Sequence, residues 1–155
     1  MFKLTKLTDY AIVLMSEMAA HPGVVRTGPQ LAERTGVPVP TVAKLLKTLT
    51  AAGVMLSHRG ATGGYVLARP ATEISIAEII TALEGPIALT ACVDGAEGGC
   101  GVESFCPMRG NWDKINLAVR TALEGLTLAD MATPAAPPMF GLGLPMPEHS
   151  PRSEA

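Results

Sequence analysis

At 155 residues and 16.1 kDa the chain can bury one sizeable core but would be cramped as two independent domains. Its 48% hydrophobic and 17% charged residues are globular in balance, which excludes a fibrous or wholly disordered chain. The formal net charge of −2 conceals an asymmetry, because residues 1–69 hold eight Lys/Arg against three Asp/Glu and residues 70–155 hold four against eleven. A basic half beside an acidic half points to a polyanionic partner for the first.

The apolar stretch Ala11–Met15 is stopped by Ser16 and Glu17, far short of a membrane span. With Asp9 nearby it also makes a poor secretory signal, so a cytoplasmic protein with no membrane partner is expected. Cys92, Cys100 and Cys106 form an odd set within one short segment. That suits metal binding or redox chemistry better than a disulfide framework.

Along the chain, Leu7, Tyr10, Ala11, Leu14, Met15 and Met18 recur at three- and four-residue spacing and predict an amphipathic helix ended by Pro22-Gly23. A second helix opens at Thr27, where Thr27 and Gln30 form a capping box, and covers Leu31–Arg34. After the turn Gly36-Val37-Pro38, a third runs from near Pro40 to Ala52 with Gly53 as its stop. It buries Val42, Leu45, Leu46 and Leu49 and offers Thr41, Lys44, Lys47 and Thr48 outward. Two β runs, Val54–His58 and Tyr65–Ala68, flank the glycine-rich tip Arg59-Gly60-Ala61-Thr62-Gly63-Gly64. A capping box of Ser75 and Glu78 opens a helix with Ile76, Ile79, Ile80 and Leu83 inward, closed by Gly85-Pro86. Residues 88–106 read as an irregular loop. A longer helix spans roughly 108–124, with Trp112, Ile115, Val119 and Leu123 on one side. From Pro134, six prolines in 22 residues predict a disordered tail.

This order predicts a mainly α fold with a small β-hairpin wing, a winged helix–turn–helix. The third helix can enter a major groove, with Pro40 at its start and Thr41, Lys44, Lys47 and Thr48 toward base edges and phosphates. At the wing tip Arg59, beside Gly60 and Thr62, can bring a cation into the minor groove. Lys3, Lys6 and Gln30 add phosphate contacts, which position without reading sequence. Ala43, mid-face, is no base reader, so DNA shape contributes. The alternative is a protein-interaction module with a merely solvated lysine face.

The cysteines stand as Cys92-x7-Cys100-x5-Cys106-Pro107 around a glycine-rich stretch. Thiolates suit iron–sulfur clusters, and such a loop can wrap one. Zinc sites favour closer Cys pairs and a fourth nearby ligand. A zinc site, a thiol switch and an electron-carrying or scaffold cluster stand as alternatives. Asp94, Glu97, Glu103, an external thiol or water, and Asp9 are candidate fourth ligands. Asp9 can equally serve as a charge at the N-terminus of the first helix. No nucleophile–base constellation is visible, and Gly60–Gly64 leads into a strand, so it is no phosphate-binding loop and no enzyme is expected.

The segments Leu4-Thr5-Lys6-Leu7-Thr8-Asp9-Tyr10-Ala11 and Arg59-Gly60-Ala61-Thr62-Gly63-Gly64-Tyr65, and the cysteine triad followed by Trp112, resemble the Rrf-two family of winged-helix transcription regulators. The resemblance covers about residues 2–131 and is similar to the branch that regulates the SUF iron–sulfur assembly operon, with IscR, NsrR and RirA as relatives. It implies a repressor working as a homodimer on a pseudo-palindromic double-stranded DNA operator. It further implies a DNA-binding domain over 1–85, a cluster loop over 86–107, a long C-terminal dimerisation helix over 108–131 and a Pro-rich tail over 132–155. Cys92, Cys100 and Cys106 match the family's cluster ligands. Arg109 stands where the IscR branch has a histidine, and the x7/x5 spacing is similar to the NsrR and RirA branch. This favours a 4Fe–4S over a 2Fe–2S cluster, with Asp9 of the partner subunit as the fourth ligand. The implied signal is cluster status, iron, or redox or nitric-oxide stress.

Overall fold

The computed structural model describes residues 3–93, 101, 105–108 and 110–133. Cys100, Arg109 and the tail expected from residue 134 lie outside the described residues. Helix α1 (Lys6–Ala19) is capped by the Thr5 hydroxyl, which accepts from the Thr8 N–H. Helix α2 (Gly28–Thr35) opens with the expected reciprocal capping box of Thr27 and Gln30. Gly36, at φ 72°, ends α2 in the left-handed region, where glycine carries no side-chain penalty, and turns the chain into α3 (Val39–Ala51).

Strand β1 (Met55–His58) pairs antiparallel with β2 (Gly64–Leu67), from Met55 opposite Leu67 to His58 opposite Gly64. This hairpin is the wing. It is tied to the helices by a further antiparallel rung: the Arg26 N–H donates to the Tyr65 carbonyl at 3.1 Å, and the Tyr65 N–H donates to the Arg26 carbonyl at 2.8 Å. Gly64 permits that approach, since a Cβ there would stand 2.6 Å from the Arg26 carbonyl oxygen. A single 3-10 turn (Ala71–Glu73) leads to α4 (Ile76–Glu84), followed by α5 (Asn111–Glu124) and α6 (Leu128–Ala132). Mostly helical with a two-stranded wing, the fold is the expected class.

Leu14, Met15, Leu31, Leu45, Leu46, Leu49, Met55, Ile74, Ile79 and Leu128 are fully buried and form one core. Helix α1 runs through its middle, touching α2, α3, α4, α6 and β2. Close packing around α1 fixes the angle at which α3 and the wing are presented.

Three details differ from the sequence expectations. The Ser75 hydroxyl accepts from the Glu78 N–H, but the Glu78 carboxylate is drawn off to Arg69, leaving half a capping box. The segment 108–131 is not one helix. Helix α5 starts only at Asn111, after Gly110 at φ 76°, and stops at Glu124; α6 then opens with its own Thr127–Asp130 capping box. The Leu128 N–H donates to the Ile74 carbonyl at 2.8 Å and the Ile76 N–H to the Leu126 carbonyl at 2.9 Å, so α6 packs its Leu128 into the core beside α1. The inward face of α5 is half-buried Asp113, buried Asn116, and Val119 and Leu123, while Trp112 and Ile115 are 37% and 50% exposed.

One carboxylate binds the two ends of this layout. Glu84, last in α4, accepts the Thr5 N–H at 2.7 Å and the hydroxyl of Thr8, capping α1 from a distant helix. The Thr8 hydroxyl bond, backed by the Thr5 N–H, holds the Glu84 carboxyl below its ordinary value. At α6 the Thr127 N–H and hydroxyl do the same for Asp130. Groups with depressed folded-state values contribute stability above their unfolded values and lose it as pH falls through the folded ones. Urea midpoints of wild type and Glu84→Gln are therefore expected to differ at pH 7 and to converge toward pH ~3. A constant gap across that range would contradict a role for the ionised carboxylate.

Candidate nucleic-acid interface and cysteine site

The apolar face of α3 (Val42, Leu45, Leu46, Leu49) is anchored in the core, which forces its other face out. Pro40, Lys44 and Lys47 are exposed, and Thr41 and Thr48 are half-buried at the edges of that face. Arg59, Gly60 and Thr62 are exposed at the wing tip. The tip turn closes by the Gly63 N–H donating to the Gly60 carbonyl at 3.0 Å; a Cβ at Gly63 would lie 2.5 Å from the His58 carbonyl oxygen. Lys3 is exposed ahead of α1, and Gln30 is exposed on α2. Gln30 has its carbonyl oxygen occupied by the Thr27 N–H at 2.9 Å, which leaves its amide NH2 as the group able to reach a phosphate. Lys6 sits with its Nζ 5.2 Å from the Tyr10 ring centroid, a cation–π contact that turns it along α1.

Pairing separates the cations into two sets. Arg26 and Arg34 meet Glu17, Arg69 meets Glu78, and Arg120 meets Glu124. Among the described residues no carboxylate pairs with Lys44, Lys47 or Arg59, nor with Lys3, Lys6 or Lys114. Uncompensated cations on a protruding helix and on a protruding hairpin give a field that attracts a polyanion.

The chain leaving α4 at Gly85 is bonded at Ile87 and Leu89 to Asn116, in the middle of α5. Cys92 and Cys106 are free, half-buried thiols. The Thr90 hydroxyl lies 3.2 Å from Cys92 Sγ and can donate to the sulfur when it is a thiolate. Such donors accompany the thiolate ligands of iron–sulfur clusters, so the described donors fit that group. Asp9 is exposed in the first turn of α1. Among the described residues of one chain, no three His, Cys, Asp or Glu side chains converge. Asp9 is thus not brought together with Cys92 and Cys106 within one protomer.

Sequence reasoning missed two residues here, Glu84 and Asn116. The buried Asn116 side chain donates to the Ile87 carbonyl at 3.0 Å and accepts the Leu89 N–H at 3.0 Å. A polar residue in an inward helical register was the available signal. No described helix is long and apolar enough to cross a membrane.

Comparison with known proteins agrees with this geometry. The Rrf2 family model, described as an iron-dependent transcriptional regulator, matches residues 4–134. Protein aau3 of Rhizobium meliloti is 31% identical over 145 residues, covering 94% of this chain and 94% of that protein. The HTH-type transcriptional regulator IscR of Serratia proteamaculans is 30% identical over 133 residues, covering 83% of this chain and 78% of its own. Among solved structures, CymR, the global cysteine regulator of B. subtilis, superposes with a TM-score of 0.66 at 30% identity, covering 85% of this chain and 97% of that one. The IscR relative is named a transcriptional regulator and CymR a regulator, and neither is named as an enzyme. A winged helix–turn–helix with a free cationic face, matched over most of its length by that family model, makes this chain a member of the Rrf2 family of transcriptional regulators.

Proposed function

We propose that the chain represses transcription as a homodimer on a pseudo-palindromic operator, its hold on DNA set by an iron–sulfur cluster at Cys92, Cys100 and Cys106. The observation that carries the DNA half is the unpaired set Lys44, Lys47 and Arg59 on α3 and the wing. Pro40, Thr41, Thr48, Gly60 and Thr62 border that set, and Lys3 and Gln30 extend it as backbone contacts. The DNA-binding unit is residues 1–85, completed by α6. Residues 86–107 form the cluster loop, and α5 is the dimerisation element. Trp112 and Ile115, exposed on α5, support a partner helix there. Ala132 closes α6, so the tail begins later than the 132 expected, and it has no part in this reading.

A cluster, once bound, supplies iron–thiolate bonds sensitive to iron supply, oxidation and nitric oxide. The remaining work belongs to the protein. Cys92, Cys100 and Cys106 supply three ligands and Asp9 of the partner subunit the fourth, which places the site between protomers. The resemblance of the cysteine spacing to the NsrR and RirA branch implies a four-iron rather than a two-iron cluster. Glu84 ties the start of α1, where Asp9 sits, to the chain entering the cysteine loop. A change in the loop is thereby felt by α1 and by the α3 face packed against it, and DNA affinity shifts by as much as the two arrangements differ. Iron–sulfur assembly genes of the SUF type are the targets that the resemblance of the opening segment Leu4–Ala11 implies.

The test is Arg59→Ala, titrated against duplex DNA selected in vitro for tight binding. Affinity is expected to fall by about ten-fold or more, with a shallower salt dependence. Unchanged affinity would remove the wing from the interface. A second reading, favoured by the free thiols of Cys92 and Cys106, keeps the DNA half and uses the cysteines as a thiol switch or zinc site. Metal content separates the two.

A further inference from the structure

Asn116 is 4% exposed, in the middle of α5, and both ends of its amide are spent on one stretch of backbone. Its Nδ2 donates to the Ile87 carbonyl and its Oδ1 accepts the Leu89 N–H, each at 3.0 Å. The pinned stretch runs straight into the turn holding Thr90 and Cys92, whose side chains are hydrogen-bonded at 3.2 Å, and on to Val93, which is buried. The same helix exposes Trp112 one turn before Asn116. Apolar residues would have sufficed to fill this inward position; an amide satisfied at both ends fixes a path instead, because breaking either bond strands a polar group away from water.

We infer that Asn116 is the positioning residue of the cysteine site: it locks the backbone before Cys92 onto α5, so that the place of the Cys92 thiol and the place of α5 are set together. This rests on the cysteine-site reading for its biological meaning, but the pin itself is a property of the metal-free chain. Cys106 reaches α5 along the chain itself, through a turn in which the Asn111 N–H donates to the Met108 carbonyl at 3.0 Å, and among the described residues no α5 side chain bonds to its segment.

The test uses the full-length protein, metal-free, in two single-thiol forms: Cys100→Ser with Cys106→Ser, leaving Cys92, and Cys92→Ser with Cys100→Ser, leaving Cys106. Each is compared with and without Asn116→Ala for its rate of reaction with an aromatic disulfide reagent. Cys92 is expected to react about ten-fold faster or more without the pin, the factor that two neutral hydrogen bonds contribute against local opening. Cys106 is expected to change by less than about two-fold. Equal acceleration of both thiols would mean general loosening and would overturn the inference, as would an unchanged Cys92. Asn116→Asp keeps the acceptor for Leu89 and loses the donor to Ile87, so it serves if the alanine variant does not fold. It is expected to speed Cys92 a few-fold, and a folded variant with no effect would equally overturn the pin. Wild-type protein that takes up no iron would sink the cluster reading and leave this result standing.

Discussion

Replacing Lys44 and Lys47 together by alanine is expected to lower affinity for selected duplex DNA by about a hundred-fold or more, the largest effect any surface change in this protein should have. In a homodimer the double substitution removes four cations from the two recognition helices. Each cation that neutralises a phosphate steepens the salt dependence by about 0.9 in the log–log slope, so the slope is expected to flatten by about three to four. Both lysines are exposed and free of carboxylate partners among the described residues, and alanine is a good helix former. Folding stability is therefore expected to stay within about 0.5 kcal/mol of wild type. Fluorescence anisotropy across a salt series reads both quantities. A loss of affinity with an unchanged salt slope would mean that the lysines act on fold or dimerisation and not on phosphates.

Cys92→Ser is expected to abolish stable iron binding while leaving the fold in place. Serine is a harder and far less acidic ligand than a thiolate and holds iron–sulfur clusters poorly. Cys92 is only half-buried, so the change costs little packing, about 1 kcal/mol or less. Cys106→Ser and Cys100→Ser are expected to behave alike. Asp9→Ala should alter the spectrum or the retention of the cluster with less loss of iron, because three thiolates remain. Iron and sulfide counts on anaerobically purified variants check the series. A Cys92→Ser protein with the full iron content would move the ligand set elsewhere.

Much of this architecture is legible from local chemistry. Thr27 with Gln30, Gly36, and the alternation of Val42, Leu45, Leu46 and Leu49 each fix a feature through neighbours within a few residues, and α2, the turn and α3 fall where they predict. The wing follows from glycines between two short β runs, though its further rung at Arg26 depends on a segment about forty residues away that no local pattern announces. Helix α6 had a signal in Thr127 and Asp130 that a single-helix reading of 108–131 overrode. The first half of the inward face of α5 was set one residue off, at Trp112 and Ile115, because Asn116 takes an apolar position, and its partners, Ile87 and Leu89, come from another part of the chain; Val119 and Leu123 face inward as expected. Glu84 escaped notice for the same reason, with Thr5 and Thr8 nearly eighty residues away. Spacing finds faces and caps; long-range polar bonds depend on tertiary contact.

The most direct measurement is the affinity of one anaerobic preparation for selected duplex DNA before and after its iron is removed by a chelator, with iron counted in both states. The expected result is an iron-loaded, coloured protein whose dissociation constant changes by about ten-fold or more between the two states, the span of an ordinary allosteric coupling. Equal affinities in the two states, or a protein that takes no iron even after anaerobic reconstitution, would contradict it.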